Sequence, residues 1–212
     1  MLDLQEMRTE YIQATLDEST VPTDPFILFE TWFAQAVETE VKDPNSMILA
    51  TSSKENMPNI RTVLLKIFDE KGFVFFTNYN SVKAKEIEQN PHVALEFLWL
   101  DLERQVRVIG TCEKISTSES MSYFMKRSRG SQIGAWVSEQ SSVISSRKML
   151  QMQIEKMKQK FADGSIPLPD FWGGYRVIPS QIEFWQGRAN RLHDRILYMK
   201  EEENWKIERL AP

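Results

Sequence analysis

The sequence is poor in the residues that bind metals or form covalent cross-links. Among 212 residues there is one cysteine, Cys112, and there are two histidines, His92 and His193. A single cysteine cannot form an intramolecular disulfide. Structural zinc sites use four cysteine or histidine ligands, and this chain has only three such side chains. We therefore expect neither a disulfide framework nor a metal centre.

Long apolar runs and an excess of positive charge are also missing. No apolar run is longer than five residues, which excludes a membrane-spanning helix. Residues 1–6 lack the basic start and the apolar stretch of a secretory signal. Asp plus Glu number 30 and Lys plus Arg 26, so the net charge of −4 argues against nucleic acid as a partner. These features predict a cytoplasmic protein that binds neither membranes nor nucleic acid.

The pattern of apolar and turn residues predicts a mainly β fold. Neither a glycine-rich dinucleotide fingerprint nor regular alternation of strands and helices is present, which disfavours a doubly wound parallel sheet. Many short strands with a few helices between them favour a β-barrel with peripheral helices. We predict a mobile arm over residues 1–20 and a single barrel domain over residues 21–212. Strands are expected over residues 47–52, 60–68, 73–78, 92–99, 104–115, 175–178, 181–186, 192–200 and 205–210, and helices starting near residues 24, 81, 116 and 145.

Three cation-capable residues, Arg191, His193 and Arg195, follow one another at every second position. If residues 191–195 are extended, these side chains point to the same face of a strand. They would then repel one another unless an anion or a partner lies opposite. The alternative is a solvated edge strand in which Asp194 and Glu183 supply local ion pairs.

Two further groups have the chemistry of anion sites. Tyr123 and Arg127 are four residues apart on a predicted helix and share a face, and Ser131 follows them with a hydroxyl donor. The alternative is a basic helix end that complements its own dipole. Lys66 interrupts an apolar strand that begins near Arg61. Taken alone, Lys66 is more simply interpreted as a snorkelling lysine and Arg61 as a surface arginine. Several such groups within a net-acidic chain favour phosphorylated ligands.

The helix predicted to start at Ser81 adds another candidate anion site, because a helix N-terminus attracts anions and Lys83 lies in its first turn.

The run Glu183-Phe184-Trp185-Gln186, followed after four residues by Arg191-Leu192-His193-Asp194-Arg195, resembles the signature of the pyridoxine (pyridoxamine) 5′-phosphate oxidases. The resemblance extends over nearly the whole chain. It includes residues 61–66, 102–106, 131–136, 167–169, 171–175 and 205–212.

This resemblance implies a fold, a cofactor and a reaction. The fold would be an FMN-binding split β-barrel that forms a homodimer, with two FMN molecules at the subunit interface and residues 171–212 as the dimerisation and active-site segment. The reaction would be oxidation of pyridoxine 5′-phosphate or pyridoxamine 5′-phosphate to pyridoxal 5′-phosphate, with transfer of a hydride from C4′ to flavin N5 and reduction of oxygen to hydrogen peroxide. A non-catalytic flavin carrier or sensor is the alternative, and the intact run from Arg191 to Arg195 disfavours it.

The resemblance also implies roles for individual residues. Arg191 and His193 would lie over the pyridine ring as the catalytic pair. Arg8 and Tyr11 in the arm would close over the substrate. Val82 departs from the family pattern, in which a basic residue often precedes the lysine of this helix. The residues expected to bind FMN are Arg61, Thr62, Val63, Leu64, Leu65, Lys66, Phe76, Thr77, Lys83, Gln105, Gln140, Ser141, Trp185 and Arg195; those expected to bind substrate are Arg8, Tyr11, Lys66, Tyr123, Arg127, Ser131, Arg191 and His193.

Overall fold

The computed structural model describes residues 10–212, and these contain five α-helices and nine β-strands. No helix among the described residues has both the length and the apolarity needed to cross a membrane. The helices are α1 (Pro25–Glu38), α2 (Val82–Gln89), α3 (Thr117–Lys126), α4 (Arg129–Val137) and α5 (Arg147–Lys160). The strands are β1 (Ser46–Ser52), β2 (Pro58–Leu64), β3 (Ile67–Asp69), β4 (Gly72–Asn78), β5 (His92–Trp99), β6 (Arg104–Lys114), β7 (Trp172–Gln186), β8 (Asp194–Glu201) and β9 (Asn204–Arg209).

All nine strands belong to one antiparallel sheet, and β7 is its branching point. The main path runs β2-β1-β5-β6-β7-β4-β3. Along one edge β7 pairs with β6 over almost its full length, while its other edge is divided between two partners. Residues 172–177 pair with β4 and residues 181–186 pair with β8. One long strand therefore connects the barrel to the C-terminal hairpin of β8 and β9.

A bulge bends β7 at the point where it changes partner. The register between β6 and β7 shifts between Ile109 and Gly110, opposite Pro179. A Cβ at Gly110 would lie 2.0 Å from the carbonyl oxygen of Ile178, so only glycine permits this close approach. Pro179 lies next to Ser180, the residue that the bulge leaves unpaired, and proline within a strand is found mainly at edges and bulges. The bend allows the two halves of β7 to belong to different parts of the sheet.

Helix α1 closes the main core. The Asp24 side chain accepts a hydrogen bond from the Phe26 amide, and Pro25 occupies the first helical position, so this helix start has a side-chain cap and a preorganised φ. The apolar face carries Phe29, which is fully buried and has five aromatic rings within 6.2 Å. A second, smaller core lies beneath α3, α4 and α5, with Phe124 at its centre.

The chain differs from the predicted elements at three places. The strand predicted over residues 60–68 is broken at Leu65 and Lys66, where the Leu65 amide bonds to the carbonyl of Asn45 and the Leu65 side chain enters the core. The two strands predicted over residues 175–186 are the single strand β7. Helix α4 was not predicted, because its two glycines weaken the helical pattern, although Ser128 caps it by accepting from the Ser131 amide.

We expect Phe29→Ala to lower the free energy of unfolding by about 3–5 kcal/mol, because it removes a fully buried ring and leaves a cavity among other rings. Ile27→Ala on the exposed side of the same helix, where the side chain is 54% exposed, should cost less than about 1 kcal/mol. Urea denaturation of both variants measures the difference. Equal destabilisation would contradict the dominance of the core contact at Phe29, because alanine is the better helix former at both positions.

Candidate functional site

A cavity of about 500 Å³ lies between β2, β4, the start of α2, the end of α3, the segment after α4 and the first residue of β7. Its volume falls within the range of small-molecule and cofactor sites, roughly 300–1,000 Å³. Its wall combines cations, hydroxyls and aromatic rings. The lining residues are Arg61, Thr62, Val63, Leu64, Lys66, Phe76, Thr77, Asn78, Lys83, Tyr123, Arg127, Gln140, Ser141 and Trp172.

Arg61 is held in the cavity wall by a carboxylate from α2. Its Nη2 lies 2.9 Å from Glu86 Oε2, and its Nη1 donates to the Leu49 carbonyl at 3.2 Å. Burial raises the pKa of Glu86, but hydrogen bonds from Thr51, Asn59 and Arg61 outweigh this effect and lower it overall. Glu86 is therefore ionised at neutral pH, and it fixes the direction of the arginine.

Lys83 is a buried cation in the first turn of α2. Its Nζ lies 3.4 Å from Thr77 Oγ1 and 3.3 Å from Gln140 Oε1, and no carboxylate within hydrogen-bond distance is recorded for it among residues 10–212. Burial, followed by repulsion from Arg61, lowers the pKa of Lys83. A buried ammonium with only neutral partners is well suited to an incoming anion.

Three aromatic rings and an arginine form the other wall. Phe76 stacks on Tyr123 with ring centroids 3.9 Å apart and on Trp172 at 5.4 Å. The Arg127 guanidinium lies 4.6 Å from the Trp172 ring centroid. Its Nη1 is buried and has no hydrogen-bond partner within residues 10–212, and burial lowers the pKa of Arg127. A buried donor without an acceptor costs free energy, which an anionic ligand at this position would recover.

A second group of candidate residues lies at the other end of β7. The Trp185 and His193 rings are 4.5 Å apart, and the Tyr11 ring centroid is 5.8 Å from each. Gly187 makes room for the tyrosine, because a Cβ there would lie 2.7 Å from Tyr11 Cγ. None of Tyr11, Trp185 and His193 lines the cavity.

The interpretation of residues 191–195 as an extended strand is wrong. Residues 189–191 form a single 3-10 turn in which Asn190 and Arg191 have φ of 56° and 61°, and β8 begins only at Asp194. The period-two argument for a shared face therefore fails. His193 is instead fixed locally, because its Nδ1 accepts a hydrogen bond of 3.1 Å from the Arg188 amide.

The third residue of that run, Arg195, is ion-paired within the subunit. Its Nε lies 2.7 Å from Glu183 Oε1, and Arg107 contacts the other carboxylate oxygen of Glu183. Glu183 is 3% exposed, so two arginines balance a buried carboxylate. Of the two interpretations left open by the sequence, the local ion pair describes Arg195, while Arg191 is exposed.

The structure gathers most, but not all, of the predicted site residues into the cavity. Leu65 lies in the core, Ser131 is exposed near the start of α4, and Gln105 is paired with Trp185 across β6 and β7. Lys66 is exposed at the break after β2, not buried in a strand. Arg8 lies outside the described residues. Asn78 and Trp172 line the cavity without having been predicted, although Trp172 belongs to one of the segments that carried the resemblance.

Known proteins resemble this chain over its whole length. Residues 33–161 match the family model of pyridoxamine 5′-phosphate oxidase. The chain belongs to the pyridoxamine 5′-phosphate oxidase family. Residues 172–212 match the pyridoxine 5′-phosphate oxidase C-terminal dimerisation region, which in this chain comprises β7, β8 and β9.

Relatives in the pyridoxamine 5′-phosphate oxidase family match from end to end. The chain is 59% identical over 212 residues to a pyridoxine/pyridoxamine 5′-phosphate oxidase of Rippkaea orientalis, with 100% of both chains covered. It is 54% identical over 209 residues to the enzyme of that name from Escherichia coli, covering 99% of this chain and 96% of the relative.

Solved structures match the fold. PhzG from Burkholderia lata, in complex with tetrahydrophenazine-1-carboxylic acid, has a TM-score of 0.88 at 25% identity and covers 93% of this chain and 98% of its own. A pyridoxamine 5′-phosphate oxidase-related, FMN-binding protein from Nostoc punctiforme has a TM-score of 0.70 at 18% identity and covers 87% and 97%. The predicted fold class, a mainly β FMN-binding split barrel with peripheral helices, is confirmed.

We expect His193 to titrate below the ordinary histidine value, because burial first and the nearby Arg191 second lower its pKa. The folded state then binds fewer protons than the unfolded state as the pH falls from about 6.5, so His193 should contribute to a loss of stability below that pH. An NMR titration of the imidazole measures the shift. Arg191→Gln should move the pKa part of the way back, and an unshifted value in the unsubstituted protein would contradict the described packing.

Proposed function

We propose that the protein oxidises pyridoxine 5′-phosphate or pyridoxamine 5′-phosphate to pyridoxal 5′-phosphate, using FMN as its cofactor and molecular oxygen as the electron acceptor. The observation that carries this proposal is the buried Arg127 Nη1 without a partner among residues 10–212, in a cavity that also holds Arg61, Lys66 and Lys83. Relatives of that name at 54% and 59% identity support the choice of substrate.

The chemistry of the cavity wall fits FMN. A flavin phosphate needs cations and hydroxyl donors, and Arg61, Lys83 and Ser141 supply them on one side of the cavity. The Val82 amide donates a hydrogen bond of 3.4 Å to the Ser141 hydroxyl. Val82 therefore contributes only its backbone amide to this side. Bound FMN would supply the redox chemistry, taking a hydride from C4′ of the substrate and passing its two electrons, with two protons, to oxygen to give hydrogen peroxide. With the amine substrate, water would hydrolyse the resulting imine to the aldehyde and release ammonia.

The substrate phosphate has a separate set of partners. Lys66, Tyr123 and Arg127 also line the cavity, and charge-assisted hydrogen bonds from such groups to a phosphate contribute roughly 1.5–3 kcal/mol each. Because the phosphate is remote from C4′, these contacts can hold the reacting carbon in position without taking part in the reaction. Ser131, which is exposed and hydrogen-bonded to Ser128 at 2.9 Å, would contribute only if the start of α4 moves.

A homodimer explains why the candidate residues form two groups in one subunit. Trp185, Arg191, His193 and Arg195 belong to the segment that matches the dimerisation region, and they do not line the cavity formed by β2 and β4. We propose that this segment of one subunit completes the cavity of the other, with FMN between them. Arg191 and His193 would then stabilise charge that develops on the pyridine ring. The cytoplasmic location expected from the sequence remains a prediction.

The purified protein should be yellow and should produce hydrogen peroxide from pyridoxine 5′-phosphate, but not from unphosphorylated pyridoxine, because the phosphate contacts are required for positioning. An absorbance spectrum followed by oxygen uptake with each compound tests this. Colour without turnover of either phosphorylated compound would favour the flavin carrier or sensor, and a colourless protein that does not take up FMN would refute both functions.

Arg127→Ala should raise KM for pyridoxine 5′-phosphate by at least about tenfold, equivalent to about 1.4 kcal/mol of lost binding. The adjacent Lys126→Ala is the matched control, since Lys126 is exposed at the end of the same helix and does not line the cavity. Steady-state oxygen uptake gives both constants. An unchanged KM in the Arg127 variant would remove this residue from the substrate site.

A further inference from the structure

Asp194 connects three segments that are far apart in the sequence. Its Oδ2 accepts a hydrogen bond of 3.1 Å from the Leu16 amide and lies 3.4 Å from Arg188 Nη1. Its Oδ1 lies 2.9 Å from Arg209 Nη1. One carboxylate therefore contacts the N-terminal segment, the loop that precedes His193 and the last strand of the sheet.

The two arginines extend these contacts along the N-terminal segment. Arg209 Nη2 donates to the Leu16 carbonyl at 3.0 Å, and its Nε donates to Glu18 Oε2 at 2.6 Å. Arg188 Nη1 reaches the Ala14 carbonyl at 3.4 Å. The same charged cluster thus attaches residues 14, 16 and 18 to the sheet. The Leu16 side chain is also buried, with 6% of its surface exposed.

The cluster also reaches the aromatic group around His193. Arg188 holds the imidazole through its backbone amide and contacts Asp194 through its side chain. Tyr11 lies three residues before Ala14 and packs on Trp185 and His193. Loss of the carboxylate would remove one of two attachments near Tyr11, the other being the Gln13 amide, which donates to Glu103 Oε2 at 3.1 Å. It would also loosen the loop that orients the imidazole.

We propose that Asp194 is a positioning residue that fastens the N-terminal segment across the Tyr11–Trp185–His193 group. The proposal deepens the proposed function and rests on it where it concerns substrate, because the fastened segment would then cover the bound phosphate ester. The carboxylate acts through Arg188, Arg209 and the Leu16 amide, and it does not contact the reacting atoms.

The test compares Asp194→Asn with Asp17→Asn in the purified, flavin-loaded protein. Asp17 is an exposed carboxylate in the same segment, and its hydrogen bonds are to the amide and hydroxyl of Ser19. Both variants remove one negative charge, but only the first removes contacts with Arg188, Arg209 and Leu16. The measurements are amide hydrogen exchange over residues 13–20 without substrate, KM and kcat for pyridoxine 5′-phosphate, and flavin content.

We expect exchange at residues 13–20 to become about tenfold faster in Asp194→Asn, equivalent to about 1.4 kcal/mol. In Asp17→Asn it should stay at the unsubstituted rate at every position except Ser19, whose amide donates to Asp17 Oδ1. KM should rise about tenfold in Asp194→Asn, kcat should fall because the loop that orients His193 loosens, and the flavin content should be retained. A change in kcat and flavin content without a change in exchange would overturn the proposal, as would equal acceleration of exchange in both variants.

A second variant covers the case in which Asp194→Asn does not fold. Glu18→Gln leaves Asp194 in place and removes the other carboxylate from Arg209, so exchange at residues 13–20 should rise by about threefold. Exchange at the unsubstituted rate would then overturn the proposal. An unsubstituted protein without oxidase activity would refute the proposed function alone, since hydrogen exchange is measured without substrate.

Discussion

The candidate site depends on the continuity of β7. The strand begins at Trp172 in the cavity wall and ends at Trp185 and Gln186 beside the His193 loop, and β6 accompanies it along almost its whole length. Because both groups are attached to one hydrogen-bonded strand, their separation within a subunit is set by backbone geometry and not by flexible loops. The bulge at Gly110 directs the two halves of β7 toward different neighbours, so that the first half supports the cavity and the second supports the C-terminal hairpin.

Carboxylates orient several of the arginines of this acidic chain. Glu86 holds Arg61, Glu183 holds Arg195, and Asp194 holds Arg188 and Arg209. In contrast, Lys83 and Arg127 have no carboxylate within hydrogen-bond distance among residues 10–212. Some of these cations are therefore oriented by an internal counter-charge, and others keep their charge available to a ligand. This division, and not the total charge, explains how a chain with a net charge of −4 can bind phosphorylated molecules.

The sequence predicts the local elements better than the contacts between them. The capping residues Asp24, Ser81 and Ser116 predicted three helix starts, since capping depends only on neighbouring residues. The break at Leu65 could not be predicted, because it depends on a hydrogen bond to Asn45 from another part of the chain. The extended conformation assigned to Arg191 failed for a similar reason: a left-handed backbone at two non-glycine residues has no periodicity signal. Most cavity residues were found through the family resemblance, whereas the roles of Glu86 and Asp194 required the three-dimensional arrangement.

The Nη1 atom of Arg127, which has no partner among residues 10–212, connects the stability of the native state to ligand binding. Desolvation of this guanidinium is a cost of folding that no acceptor among residues 10–212 offsets. A molecule that binds only the native state raises the stability of that state in proportion to the logarithm of its concentration. Scarcity of the phosphorylated ligand would then increase the unfolded fraction and expose the chain to proteases. In this way one side-chain nitrogen would couple the turnover of the polypeptide to the supply of the vitamer.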